Sequence, residues 1–117
     1  MKRIDIFLPQ ENVPEVTMIL HKHDCGGISL TEIKGRGKIP HEAIPEVVTG
    51  EWHMTGRRFV PEYVSRTQIT TVAPDSQVLS IVQDLRNDVK AKRGKLFVSD
   101  IIQAYDLASG SEGEAAL

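Results

Sequence analysis

Several features that often reveal the class of a protein are scarce or missing here. Cysteine occurs once, at Cys25, which excludes an internal disulfide. Aromatic residues make up 5%, and the net charge of −2 gives no bulk attraction to nucleic acid. No apolar run approaches the roughly 20 residues of a membrane span, and residues 2–6 are not an apolar leader. We therefore expect a cytoplasmic protein that neither inserts into a membrane nor binds nucleic acid.

The length of 117 residues predicts a single domain with one hydrophobic core. Small domains with few aromatic side chains often complete their burial by oligomerising, so self-association is expected.

Hydrophobic periodicity predicts the secondary structure. Alternating or β-branched segments predict strands over residues 2–8, 28–34, 64–73 and 96–98. Apolar residues at helical spacing predict a helix over residues 11–23, and a second one with Val78, Val82, Leu85 and Val89 on its apolar face. Asn12 and Asp75 are the expected N-caps, and a short helix is predicted over residues 101–107. The order β-α-β-β-α-β is typical of the α+β ferredoxin-like fold, a four-stranded antiparallel sheet with two helices on one face.

Two segments lack a regular pattern. Residues 36–63 contain Pro40, Pro45 and Pro61 and show no sustained periodicity, which predicts a long loop between the second and third strands. A loop of this length within a compact domain is usually functional. Residues 108–117 are small and polar and predict a flexible C-terminal tail.

Two further segments place glycine and lysine at strand edges: Thr31–Lys38 and Gly94–Asp100. Glycine lets the backbone approach a ligand closely, and lysine adds positive charge. In their order and spacing the two segments resemble the PII family of trimeric signalling proteins, and the resemblance extends over nearly the whole chain. It implies one PII-like domain over residues 1–117, with a T-loop at 36–63 and a B-loop at 90–95.

The resemblance also implies a homotrimer with nucleotide clefts between its subunits. The residues that it assigns to nucleotide binding are Ser29, Gly35, Arg36, Gly37, Lys38, Arg66, Arg93, Gly94 and Lys95. Backbone N–H groups and fixed positive charges are suited to phosphate. In the T-loop, the candidate contacts to a partner or a second effector are Trp52, Arg57, Arg58 and Phe59.

Some positions depart from the family pattern. Ile39 stands where members carry a glutamine that supports magnesium and 2-oxoglutarate, so this response is not expected. Phe59 stands where some bacterial members carry a tyrosine that is uridylylated. Asp106 and Ala108 replace two arginines that reach the phosphates, and residues 90–93 replace the usual T-G-x-x-G-D of the B-loop. These changes weaken the triphosphate end of the cleft and favour ADP or AMP over ATP.

The resemblance and these departures predict a signalling protein that is not an enzyme. Its T-loop would dock on a membrane transporter or a metabolic enzyme, and bicarbonate is a candidate second effector, in inorganic-carbon instead of nitrogen control. The alternative is a small-molecule-binding enzyme on a ferredoxin-like scaffold, but no catalytic acid, base or nucleophile is recognisable. RNA binding is disfavoured because the strands hold few aromatic residues for stacking.

Plainer interpretations remain open for several candidates. Arg36 and Lys38 suit either solvated loop charges or ligand contacts, and the basic run 90–95 suits either a helix end or phosphate. Arg57 and Arg58 of the T-loop suit a patch that docks on a partner, an anion-binding site or simply a pair of exposed charges. The two aromatic residues there anchor a partner or pack against the loop itself.

A metal site is the sharper interpretation of His21, His23 and Cys25. Alternate residues at a helix end converge poorly on one ion, and the sequence does not indicate a fourth ligand, so no metal is predicted. Cys25 is instead expected to be a small buried residue.

Overall fold

The computed structural model describes residues 1–25, 27–36 and 63–117. Contacts divide the chain into two units, Met1–Ile33 with Arg66–Leu117 and Lys34–Ser65. The described strands are β1 (Lys2–Leu8), β2 (Ile28–Gly35), β3 (Val64–Ala73) and β4 (Lys95–Asp100). The described helices are α1 (Val13–Lys22) and α2 (Asp75–Asp88), with 3-10 turns at Gln10–Asn12 and Gly113–Ala116.

The four strands form one antiparallel sheet in the order β2-β3-β1-β4. β1 pairs with β3 from Lys2–Ala73 to Leu8–Thr67, and with β4 from Lys2–Asp100 to Phe7–Lys95. Together with two helices, this arrangement confirms the predicted ferredoxin-like fold. The predicted domain, loop and tail boundaries stay predictions.

The alternation of β1 decides the location of the core. Successive side chains of a strand point to opposite faces of the sheet. Ile4, Ile6 and Leu8 are buried against the helices, whereas Arg3 and Phe7 belong to the other face. Each fully buried aliphatic side chain contributes about 1.5–3 kcal/mol, so this strand supplies a large share of the stability.

The buried face of α2 differs in one turn from the predicted face. Leu85 is buried, and Val78 and Val89 pack against the core as expected. Ile81 is fully buried, whereas Val82 is only partly buried. Ile81 lies three residues after Val78 and four before Leu85, which keeps one face of the helix in contact with the sheet.

The helix N-termini are not capped as predicted. Asn12 occupies the N-cap position of α1, but its Nδ2 donates to Glu15 Oε1 at 2.6 Å and no backbone N–H is capped by its side chain. The N-cap of α2 is Pro74, so Asp75 is already helical. The carboxylate of Asp75 forms an ion pair with the N-terminal ammonium of Met1, and 2.9 Å separate the nitrogen from Oδ1 of Asp75. A negative charge in the first turn still suits the helix dipole.

The short helix predicted over residues 101–107 is wrong. Of these residues, all of which the structure describes, 101–104 have no regular structure and Tyr105 forms an isolated antiparallel bridge with Glu112. The carboxylate of Asp106 accepts the backbone N–H of Ala108 at 2.7 Å and of Ser109 at 3.2 Å. Aspartate side chains that bond to the backbone ahead stabilise turns at the expense of helices.

One polar contact joins the two helices. His23 Nε2 lies 2.6 Å from Asp84 Oδ2, and the two side chains are 16% and 34% exposed. The contact follows directly after α1 and reaches the third turn of α2, so it fixes the C-terminal end of α1 over the sheet.

We expect His23→Ala and Asp84→Ala each to lower the free energy of unfolding by roughly 1 kcal/mol, since each removes a half-buried charge-assisted hydrogen bond. Urea unfolding of both single variants and the double variant measures the loss and the coupling between the residues. His21→Ala, on the exposed side of α1, is the matched control. Equal losses for His21→Ala and His23→Ala would contradict a stabilising role for the pair.

Candidate functional site

The face of the sheet turned away from the helices carries paired polar and aromatic side chains. The strand register places on it Arg3, Asp5, Phe7, Gln68, Thr70, Val72, Lys95, Phe97 and Ser99. We call this set the open face. Three rows cross it, and each is centred on one residue of β1.

Asp5 is the centre of the middle row. Its Oδ1 accepts hydrogen bonds from Thr70 Oγ1 at 2.7 Å and Gln68 Nε2 at 3.2 Å, and its Oδ2 accepts Arg3 Nε at 2.9 Å. Burial raises the pKa of Asp5, but these hydrogen bonds lower it by more, so that the pKa lies below its ordinary value of 3.8. The open face therefore has a stable negative charge near its middle.

Two aromatic rings lie beside this charge. Phe7 and Phe97 have ring centroids 5.8 Å apart at an interplanar angle of 74°. This is the edge-to-face geometry that aromatic pairs prefer. Phe97 remains 56% exposed, so the open face has an apolar area next to its polar centre.

Two of the predicted nucleotide-binding residues lie at one end of the open face. Lys95 pairs with Phe7, whereas Arg66 directly precedes Thr67, the partner of Leu8. Arg66 therefore shares the face of Gln68, on the opposite side of β1 from Lys95. Neither cation lies within ion-pair distance of a carboxylate in the described part of the chain. Among the described residues that the register places at this end, Arg66 and Lys95 are the charged ones, and both are positive.

Gly94 determines how closely the B-loop approaches β1. A Cβ atom at this position would lie 3.3 Å from the carbonyl oxygen of Phe7 and 3.7 Å from Cβ of Leu8. The missing side chain lets the loop lie against the end of β1, and Lys95 then enters the sheet in register with Phe7. Arg93, the residue before, is exposed.

The other predicted site residues are placed as follows. Ser29 is exposed on β2. In the second unit, Gly35 ends β2 half-buried and Arg36 follows it, exposed. Six candidates lie outside the described residues: Gly37, Lys38, Trp52, Arg57, Arg58 and Phe59.

A cavity of about 280 Å³ lies on the helix side of the sheet, behind the B-loop. Its apolar lining consists of Ile6, Leu8, Val16, Leu85, Val89 and Leu96. Arg86 and Lys95 are its charged lining residues, and Ala91 and Gly94 complete it. Sequence reasoning missed this cavity because the lining residues are ordinary core residues in their own elements.

The three residues considered as metal ligands, His21, His23 and Cys25, lie in different environments. His21 is exposed, His23 contacts Asp84, and Cys25 is buried, as predicted for it. Burial raises the pKa of the Cys25 thiol. No group of three or more histidine, cysteine or acidic residues suited to a metal ion occurs among the described residues.

The chain is similar to a known protein family along almost its whole length. Residues 1–111 match the family model described as Nitrogen regulatory protein P-II. The chain belongs to this family, the PII family. The resemblance of the two glycine–lysine segments is thereby confirmed over almost the full length.

Curated relatives of the same description align along the entire chain. The nitrogen regulatory protein P-II of Rhodobacter capsulatus is 26% identical over 120 residues, with both chains fully covered. That of Cereibacter sphaeroides is 28% identical over 121 residues, again with full coverage. Nitrogen regulatory protein P-II 2 of Methanothermobacter thermautotrophicus is 26% identical, with 97% of its own length covered. These relatives are named as regulatory proteins, in agreement with the prediction of a regulator that is not an enzyme.

The helices of this PII protein bear on the prediction that the chain has no membrane span. Neither α1 nor α2, nor any other helix in the described ranges, has the length and hydropathy of a membrane span.

The Asp5 network predicts a specific pH dependence. Because the pKa of Asp5 is lowered in the folded state, the network stabilises the protein above the unfolded pKa of about 3.9 and the contribution is lost as the pH falls through the folded value. We expect Asp5→Asn to lower the free energy of unfolding at pH 7, and the difference from wild type to shrink below about pH 4. Urea unfolding at several pH values measures it.

Asp88→Asn is the matched control, since Asp88 is exposed at the end of α2. A difference between wild type and Asp5→Asn that is the same at pH 7 and pH 3 would disprove the proposed electrostatic contribution.

Proposed function

We propose that this PII family member is a cytoplasmic, homotrimeric signalling protein that binds an adenine nucleotide in clefts between its subunits. ADP or AMP would be favoured over ATP. The nucleotide state would be passed through the T-loop to a membrane transporter or a metabolic enzyme. The observation that carries the proposal is the location of Arg66 and Lys95 at one end of the open face, with no carboxylate of the described residues within ion-pair distance.

The chemistry of this end suits a phosphate group. Arginine offers a planar fork of donors, and lysine a compact ammonium with three donors. Two cations that have no ion-pair partner in the described part of the chain are suited to neutralising an anion, and charge-assisted hydrogen bonds to phosphate are among the strongest in proteins. Gly94 holds Lys95 in register, so its backbone position is defined before a ligand arrives.

Support for self-association comes from the apolar side chains left exposed by one chain. Phe97 on the open face is 56% exposed, and Ile102 and Leu107 after β4 are 89% and 99% exposed. Burial of large apolar side chains with this exposure under a second chain is favourable. The open face and the segment after β4 are therefore the surfaces that we assign to the trimer.

Asp106 supports the preference for a shorter phosphate chain. Hydrogen bonds from the backbone of Ala108 and Ser109 hold its pKa below the ordinary range, so it is ionised at neutral pH. By position it stands where the family has a phosphate-binding arginine. If the segment reaches a neighbour's cleft as in the family, a fixed negative charge there repels a triphosphate more strongly than a monophosphate.

In the proposed switch, the nucleotide changes the balance between two conformations of the T-loop. This requires an effector that binds the two conformations with different affinity. Trp52, Arg57, Arg58 and Phe59 are the residues through which we propose that the T-loop contacts a partner or a second effector such as bicarbonate. Ile39 offers no ligand atom, so the proposal excludes the 2-oxoglutarate response of the usual kind.

Substitution of the two cations tests the nucleotide site. We expect Lys95→Ala and Arg66→Ala each to weaken ADP binding about 10- to 100-fold, the effect of one charged hydrogen bond. Isothermal titration calorimetry measures the dissociation constants, and sedimentation confirms that each variant keeps the assembly state of the wild type. Titration with and without bicarbonate and 2-oxoglutarate examines the second effector.

Lys22→Ala, an exposed lysine at the end of α1, is the matched control and should bind ADP as the wild type does. If the wild type binds no adenine nucleotide, or if all three variants bind equally well, the proposed site is wrong.

Nucleotide preference is tested separately at Asp106. We expect Asp106→Arg to improve ATP affinity relative to AMP affinity, since the substitution replaces repulsion of the terminal phosphates by attraction. Calorimetric titration with both nucleotides at low and physiological salt provides the ratio. Glu11→Arg makes the same change of charge on a different element and should leave the ratio unchanged. An unchanged ratio in Asp106→Arg would show that this residue does not face the phosphates.

A further inference from the structure

We propose that the cavity on the helix side of the sheet binds a small aliphatic carboxylate, a second ligand distinct from the nucleotide. The cavity lies within the unit formed by Met1–Ile33 and Arg66–Leu117, and its lining comes from β1, α1, α2, β4 and the loop before β4. Gly94 and Lys95 line this cavity and are also predicted nucleotide-binding residues, but Arg86 and the branched aliphatic residues of the lining are not, so the proposal does not rest on nucleotide binding.

The lining selects an aliphatic group. Six of its residues are branched aliphatic side chains: Ile6, Leu8, Val16, Leu85, Val89 and Leu96. Among the described residues, the lining includes neither an aromatic ring nor a neutral side chain that donates or accepts hydrogen bonds. A nucleobase would leave its polar edge without partners here, which costs free energy on burial. A hydrocarbon chain has no polar group to leave unpaired in such a cavity, and burial of its apolar surface is favourable.

The charge around the cavity selects an anionic head group. Arg86, in the last turn of α2, and Lys95 are the charged residues of the described lining. Because the strand register turns the Lys95 side chain to the open face, Arg86 is the cation that meets the head group. Neither cation has a carboxylate within ion-pair distance among residues 1–25, 27–36 and 63–117. Between them the chain adds Lys90, Lys92 and Arg93, against the single acid Asp88. A carboxylate entering from the B-loop side therefore meets positive charge.

The volume limits the length of the ligand. The cavity of about 280 Å³ is slightly below the range of typical drug-sized sites, roughly 300–1,000 Å³. At about 30 Å³ for each water-sized group, it accommodates on the order of nine such groups. A carboxylate with a chain of about eight carbons matches this volume when its head group stays at the opening. Octanoate is therefore the probe.

Titration with octanoate tests the proposal in the intact protein. We expect saturable binding, with methyl NMR shifts confined to the lining, for example at Ile6, Leu85 and Leu96. Octanol, which has the same chain without the charge, should bind at least about threefold more weakly. Arg86→Gln should reduce the affinity for octanoate by a similar factor but leave that for octanol unchanged.

A cavity-filling variant provides the second test. Val89 is half-buried at the edge of the cavity, and Val89→Phe should weaken octanoate binding at least about tenfold by occupying the space. Lys22→Gln, away from the lining, is the control for a general loss of positive charge. Circular dichroism and urea unfolding show whether Val89→Phe is folded, and Arg86→Gln, at an exposed position, keeps the test decisive if it is not.

The outcomes separate this proposal from the nucleotide site. If octanoate does not bind, or binds wild type and all variants equally, the cavity proposal is wrong, whatever the result with ADP. The same is true if the NMR shifts lie outside the lining. If octanoate binds as expected but ADP does not, the nucleotide proposal fails alone. Arg86→Gln and Val89→Phe should retain the ADP affinity of the wild type.

Discussion

The pairing of β1 with strands on both of its sides is the constraint on which the rest of the structure depends. β3 and β4 both take their register from this strand. Because the side-chain period of a strand is two, a shift of one residue would turn Ile4, Ile6 and Leu8 to the open face and expose the core. Burial of these three side chains therefore determines the orientation of every residue along the two neighbouring strands.

The two faces of the sheet follow from that register and have different chemistry. On the helix side, aliphatic residues form the core, and the cavity behind the B-loop is an opening in it. On the open face, the Asp5 network and the Phe7–Phe97 pair leave polar and apolar groups available to a second chain. Gly94 belongs to the loop that reaches the end of β1, where Arg66 and Lys95 have no carboxylate of the described residues within ion-pair distance.

Local periodicity predicted the elements well where burial repeats regularly. β1 and β3 have the predicted bounds: alternation over seven residues predicted β1, and β-branched composition over ten residues predicted β3. The predicted elements were wrong where a local hydrogen bond or ion pair competed with the periodic pattern of apolar residues. The Asp106 carboxylate closes a turn in place of a helix, and Asp75 binds an ammonium instead of capping α2. Ile81 was missed because helical spacing alone allows two neighbouring faces, and packing chose between them.

The sequence by itself determined the family, the order of the elements and the residue types that suit phosphate, because these depend on patterns along the chain. Only the tertiary structure decided that Arg66 and Lys95 lie on one face of the sheet, on either side of β1. It also decided that six apolar residues, from β1, α1, α2, β4 and the C-cap after α2, leave a cavity beside Arg86. Strand register and packing between distant segments determine both, and neither leaves a periodic signal in the chain.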